Sequence, residues 1–330
     1  MTCSQGKRCA TLRSGLASYS FVTPYIYYVL AILAPGQGSQ TPGMLTAWLE
    51  DAELKNLLTS YSSAIDLDLE RLGTMADADE IKDTANAQPL IVAASLLSAH
   101  ALGSDVNVSL VAGHSVGEIA AAALAGTMTE IDAMKLVHLR GQEMAKAASI
   151  APAGMAAVLG GERSVVLAAI SELGLVAAND NGAGQIVAAG NLEALSQLAP
   201  DGARVRPLAV AGAFHTSFME PAVAPLHAMA AGIATTPAKV SVISNREGAV
   251  VNDGREVLDR IVSQIANPVR WDLCMETLRA QGVTGVIELA PGGTLAGLIK
   301  RAAPEIEQCA LKSPADVPAA REFAARHGKA

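Results

Sequence analysis

The sequence predicts an α/β fold in two parts, and three observations carry that expectation. Short apolar runs that read as buried strands, "VLAILA", "VSLVAG", "KVSVIS" and "GVIELA", alternate with helical stretches, which points to a mostly parallel sheet covered by helices. Residues 151–211 depart from this alternation and read strand–helix–strand–strand–helix–strand. The composition is 51% hydrophobic but only 3% aromatic, so the core must be built from Ala, Val, Leu and Ile, as suits closely packed α/β layers.

The elements follow in order. "VLAILAPGQGSQ" is a strand that ends in a Gly-rich loop, and "GMLTAWLED" begins a helix after Pro42. "IKDTANAQPLIVAASLLSAHAL" is helical and leads into the strand "VSLVAG". "TEIDAMKLVHLRGQEMAKAA" is an amphipathic helix with Thr129 as N-cap. The inserted unit runs through the strand "GMAAVLG", the helix "RSVVLAAISELG" and the strands "LVAAND" and "GQIVAAG", which turn at Asn181 and Gly182. "LEALSQLA" and "ARVRPLAV" complete it as helix and strand. The large part resumes near Gly212, with one helix expected across "IVSQIANPVRWDLCMETLRAQG". The expected division is an N-terminal extension over 1–28, poorly ordered; a large domain over 29–150 and 212–310; a small subdomain over 151–211; and a C-terminal tail over 311–330.

Charge and cysteine usage exclude several classes. Lys and Arg number 24 against 32 Asp and Glu, a net charge of −8, which argues against nucleic acid or an anionic membrane as partner. Four cysteines form no CxxC pair, so reduced thiols in a cytoplasmic protein are expected. Six scattered histidines form no HExxH, so no metal is expected. Lys7, Arg8 and Arg13 precede an apolar stretch, but Pro24 breaks it and no A-x-A site follows, against a signal peptide. No later segment carries eighteen unbroken apolar residues, so no membrane span is expected.

The stretch "VAGHSVGEIAAAALAG" carries the chemistry. A strand meets a helix at Gly113-His114-Ser115-Val116-Gly117, the G-x-S-x-G pattern of a sharp turn that presents a serine nucleophile, as in an α/β-hydrolase-like domain. The alternative is an ordinary turn with Ser115 as N-cap and Glu118 completing a capping box. A serine hydroxyl needs a base, and "GAFHTSFM" offers His215 in a Gly-flanked turn; a lone histidine is more often a plain surface or core residue.

"PGQGSQ", "GHSVGE", "HLRGQEM", "GAFHT", "NPVRW" and "ELAPGGTL" occur in this order, and together they resemble the malonyl-CoA:acyl-carrier-protein transacylase family over residues 29–305. The resemblance implies a ferredoxin-like (βαββαβ) insert and a Ser–His dyad, with Ser115 as nucleophile and His215 as base. It implies an oxyanion hole from the backbone N–H groups of Val116 and Gln37, and a backbone carbonyl at Gln264 that orients the histidine. Arg140 would grip the free malonyl carboxylate; Gln88 and Asn179 would line the pocket. Otherwise Arg140 is a solvated helix arginine, and Gln88 and Asn179 are buried amides bonded to backbone. Val116 and Phe214 resemble the malonyl-selective forms of their motifs, whereas Ala290 stands where the family usually has glycine.

The implied reaction is ping-pong transfer of malonyl from malonyl-CoA to the phosphopantetheine thiol of acyl carrier protein for fatty acid synthesis. The enzyme itself needs no cofactor and is expected to be a cytoplasmic monomer. Arg204, Arg206, Lys300 and Arg301 are candidates for a basic patch that docks the acidic carrier protein; solvated surface charges are the alternative. A polyketide-pathway acyltransferase, a serine hydrolase and a non-catalytic carrier-binding module are the rival readings. Arg140 and the insert have no use in a hydrolase, and an intact Ser115 and His215 none in a binding module.

Overall fold

The computed structural model describes residues 28–328. Strand β1 (Leu30–Ala34) is apolar and wholly buried, as a central parallel strand covered on both faces must be. After the Gly-rich turn come α1 (Ala52–Ile65), α2 (Leu69–Thr74) and α3 (Thr84–Leu102), then β2 (Leu110–Gly113), α4 (Gly117–Leu124) and α5 (Glu130–Ala148). The helix expected after Pro42 begins only at Ala52, where the Asp51 side chain accepts from the N–H groups of Glu53 and Leu54. Thr129 caps α5 as expected, accepting from the N–H of Asp132.

The chain then forms β3 (Ala153–Gly160), α6 (Arg163–Glu172), β4 (Val176–Asp180), β5 (Gln185–Asn191), α7 (Leu192–Gln197) and β6 (Ala203–Pro207). It returns through α8 (Glu220–Ala231), β7 (Ser241–Ile243), β8 (Val250–Val251), α9 (Gly254–Gln264), β9 (Val269–Arg270), α10 (Trp271–Ala280), β10 (Gly285–Glu288), α11 (Thr294–Ala302), β11 (Glu307–Ala310) and α12 (Val317–His327). The larger sheet has the order β11-β10-β1-β2-β7-β8, parallel except for the short edge pair β7–β8. The smaller sheet has the order β6-β3-β5-β4-β9 and is antiparallel except where β4 meets β9.

Three features differ from the expectation. The single helix read across 261–282 is two helices separated by β9, because Pro268 lacks an N–H and disfavours helical backbone at Asn267. The intervening strand pairs with β4, so the smaller sheet draws its fifth strand from outside residues 151–211. The expected tail over 311–330 holds α12, which buries Phe323, Ala324 and His327. The expected extension over 1–28 lies, apart from Tyr28, outside the described residues.

Two close approaches position the site. A Cβ on Gly141 of α5 would lie 2.9 Å from the Thr84 carbonyl oxygen, so glycine lets α5 settle against the start of α3 and brings Arg140 beside Gln88. At the β2–α4 junction, a Cβ on Gly113 would lie 2.0 Å from the Gly117 carbonyl carbon, and one on Gly117 would lie 2.2 Å from the Ala34 carbonyl oxygen. The two glycines of G-x-S-x-G are therefore required by contact between β1, β2 and the first turn of α4. Gly117→Ala should cost about 1–3 kcal/mol or more by overpacking and lower Tm. Gly297→Ala, inside α11 with its nearest heavy atom at 3.8 Å, should gain about 0.5–1 kcal/mol from helix propensity. Thermal unfolding of the two variants checks the opposite signs.

Candidate active site

Ser115 sits between β2 and α4 with φ of 52°, in the left-handed region that a non-glycine residue enters only when its surroundings hold it there. Those surroundings are identifiable. The Ser115 N–H donates to Oδ1 of Asn245 at 2.8 Å, and Asn245 Nδ2 donates to the Gly113 carbonyl at 2.7 Å. Asn245 follows β7 and so clamps the turn from the neighbouring strand. The capping-box alternative fails: Val116 takes the N-cap position without a side-chain bond, and Glu118 turns inward.

Ser115 Oγ lies 2.7 Å from His215 Nε2, and His215 Nδ1 lies 2.8 Å from the backbone carbonyl oxygen of Gln264. A carbonyl only accepts, so Nδ1 carries the proton, Nε2 presents its lone pair, and the serine hydroxyl donates to it. His215 also has positive φ, 61°. Burial pushes its pKa down to about 3, and the neighbouring Arg140 charge pushes the same way against the Gln264 bond. The imidazole is a neutral base at physiological pH.

Arg140 has no exposed surface. Its Nη1 donates to Gln88 Oε1 at 2.7 Å, and its Nη2 to Gln264 Oε1 at 3.0 Å and to Ser115 Oγ at 3.4 Å. Its Nε has no partner among the described residues. Burial lowers the Arg140 pKa and the charge of Glu118 partly restores it. This guanidinium is not the solvated helix arginine of the alternative reading: it is a desolvated cation behind the serine, and its bonded partners are neutral groups.

A cleft of about 270 Å³ opens above Ser115 and His215, between the two sheets. Gln37, Gln88 and Asn179 all line it, and so do Phe214 and Met155. Gln37 Nε2 donates to Thr84 Oγ1 at 3.3 Å, which holds the loop after β1 against α3. The N–H groups of Gln37 and Val116 have no acceptor among the described residues, and Val116 opens α4, where the helix dipole favours negative charge. Arg301 lines both this cleft and an adjoining groove with Arg204, and its Nη2 donates to Gln185 at 3.4 Å. Arg206 and Lys300 are exposed but line neither.

Two residues of the floor escaped the sequence reading. Glu118 stands there only as a capping candidate, and Asn245 is unmarked. Asn245 occupies the C-terminal end of a parallel strand, where sites in such sheets are built, and that position was the available signal. His114, beside Ser115 in the sequence, bonds Asn181 Oδ1 through Nε2 at 2.9 Å and not the serine.

Comparison with known proteins agrees with this geometry. Residues 32–321 match the family model described as acyl transferase domain. The chain is 52% identical over 299 residues to the malonyl CoA-acyl carrier protein transacylase of Mycobacterium tuberculosis strain H37Rv, spanning 88% of this chain and 98% of the relative. The crystal structure of the Mycobacterium tuberculosis enzyme superposes with a TM-score of 0.85 over 88% of this chain and 98% of that one, at 52% identity. A structure of a type II PKS acyl-carrier protein in complex with its malonyl-transacylase superposes at 0.84, with 29% identity, over 89% and 99% of the two chains. With a serine at a strained turn, a histidine beside it and a buried arginine set in this frame, the chain belongs to the malonyl CoA-acyl carrier protein transacylase family.

Proposed function

We propose that this enzyme moves the malonyl group of malonyl-CoA to the phosphopantetheine thiol of holo acyl carrier protein through a malonyl-Ser115 intermediate, supplying fatty acid synthesis. The family membership supports the reaction, and one observation carries the acyl preference. Arg140 is a fully buried cation whose bonds go to neutral oxygens, one of them the serine hydroxyl. A carboxylate-bearing acyl group on Ser115 supplies a directly bonded countercharge through charge-assisted bonds.

The chemistry follows from the geometry. His215 Nε2 takes the Ser115 proton as Oγ attacks the thioester carbonyl. The N–H groups of Val116 and Gln37 hold the tetrahedral oxyanion. The intermediate collapses, the C–S bond breaks, and His215 returns the proton to the departing CoA thiolate. The carrier thiol then gives its proton to His215 and attacks the malonyl ester, and Ser115 leaves and is reprotonated. Each product departs before the next substrate is used, which makes the kinetics ping-pong. Burial is the main depression of His215 and the Arg140 charge adds to it; a carboxylate on Arg140 offsets that added part, so the correct acyl group strengthens the base beside it.

The same reading takes the large sheet as α/β-hydrolase-like and the βαββαβ unit as ferredoxin-like; the parallel β10-β1-β2-β7 core and the order β6-β3-β5-β4 support it. Within it the enzyme is a cytoplasmic monomer without metal or cofactor, and the free thiols of Cys274 and Cys309 fit a reducing compartment. Arg204 and Arg301, in the groove that adjoins the cleft, are the proposed docking charges; Arg206 and Lys300 would act at its margin.

Brief incubation with malonyl-CoA should add one malonyl group to the wild type by intact mass and none to Ser115→Ala. Arg140→Ala leaves the acyl carboxylate without its partner, a loss of about 2–5 kcal/mol. Malonyl transfer should then fall about thirty-fold to several thousand-fold while acetyl transfer holds or rises. Labelling that survives Ser115→Ala, or equal losses for both acyl groups in Arg140→Ala, contradicts the assignment. Arg204→Glu should raise KM for the carrier protein about three- to ten-fold, the scale of one reversed rim charge, with acylation by malonyl-CoA unchanged. A matching loss in acylation would remove Arg204 from the docking face.

A further inference from the structure

Glu118 is a buried carboxyl group in the floor of the site, and the transfer chemistry does not use it. It lies three residues past the nucleophile, in the first turn of α4, and is 3% exposed. Its Oε1 accepts from the Asn245 N–H at 2.5 Å and its Oε2 from Gln264 Nε2. Gln264 Nε2 also faces Asn245 Oδ1 at 3.1 Å and the Ser115 carbonyl at 3.3 Å, while Gln264 Oε1 accepts from Arg140 Nη2 at 3.0 Å. The Gln264 amide thus forms a bridge with a carboxylate at one end and a guanidinium at the other.

An amide can turn over, and the floor must decide which end faces the arginine. Both Glu118 oxygens accept, from the Asn245 N–H and from Gln264 Nε2, which fixes the NH2 end of the amide toward the carboxyl and the carbonyl end toward Arg140. Burial pushes the Glu118 pKa up to about 8, and the Asn245 bond and the Arg140 charge oppose that rise. The turned-over amide would set two NH groups against a guanidinium that has no acceptor of its own. Resting on the malonyl-transfer reading above, we propose that Glu118 is a positioning residue that sets the acyl preference: through the Gln264 amide it holds the Arg140 guanidinium behind Ser115. Oriented this way, Nη2 stays 3.4 Å from Ser115 Oγ, next to the place where the acyl group must form.

Glu118→Gln keeps the shape and removes the decision. The new side chain must turn its own oxygen to the Asn245 N–H, which sets its NH2 against that of Gln264 and forces the bridge to turn. Malonyl kcat/KM should fall about 10- to 100-fold, the scale of one charge-assisted hydrogen bond. Acetyl transfer should stay within about three-fold of wild type, well below one tenfold step. In the Arg140→Ala background, Glu118→Gln should cost malonyl transfer no further, since residues acting through one partner are not additive. Equal losses of malonyl and acetyl transfer in Glu118→Gln, or full additivity in the double variant, would overturn the proposal by making Glu118 a structural group only. An unchanged malonyl-to-acetyl ratio in Arg140→Ala itself would instead overturn the transfer reading on which it rests.

Discussion

The hydrogen bond from His215 Nδ1–H to the Gln264 backbone carbonyl is the constraint on which the site depends. It fixes the tautomer, turns the Nε2 lone pair to Ser115, and does so with a neutral acceptor. A carboxylate in that place would favour the imidazolium and raise the pKa; a carbonyl leaves burial and the Arg140 charge to win, and the base stays neutral. The backbone of Gln264 thus holds the base and its side chain holds the arginine. On the proposed function, the end of α9 is where nucleophilic chemistry and acyl recognition join.

The fold delivers these groups from distant parts of the chain at some cost. Ser115 and His215 both occupy left-handed backbone, and each such residue costs about 1–3 kcal/mol unless the surroundings over-determine it. For Ser115 that support comes from the Asn245 clamp and from the glycines at 113 and 117, which let α4 sit against β1 and β2. Burying Arg140, Glu118, Gln88 and Gln264 together is tolerable because almost every polar atom has a partner. The exception, Arg140 Nε, lies on the cation with no bonded countercharge.

Much of this was legible in the sequence. Strands β1, β2, β7 and β10 of the larger sheet read out of short apolar runs, because parallel strands buried on two faces carry few polar residues to blur them; β8, β9 and β11 did not. The Gly-His-Ser-Val-Gly turn was legible because its glycines answer to steric contact, which leaves a local mark. What failed to read was set by tertiary contact. Pro268 was the signal that 261–282 could not be one helix, but that the break would pair with β4 depends on where the smaller sheet lies. The C-terminal helix was passed over although Asp316 accepts from the N–H groups of Lys312 and Ser313 and Pro318 sits in its first turn. Glu118 hid in plain view: a glutamate in a first helical turn reads as an ordinary favourable charge, and only the burial of that face makes it part of the floor. Of the four proposed docking cations, only Arg204 and Arg301 share a groove, since strand pairing and helix phase decide which charges meet.

The central claim is that burial and a single backbone acceptor keep His215 neutral, with its proton on Nδ1 and its lone pair toward Ser115. The most direct test is a pH titration of the 15N shifts of the histidine ring nitrogens, with His215 assigned by comparison with His215→Asn. The account predicts a protonated Nδ1, an unprotonated Nε2, and no titration between about pH 5.5 and pH 7.5, where an ordinary imidazole changes charge. A midpoint near pH 6.5, or a proton on Nε2 in the neutral ring, would contradict it.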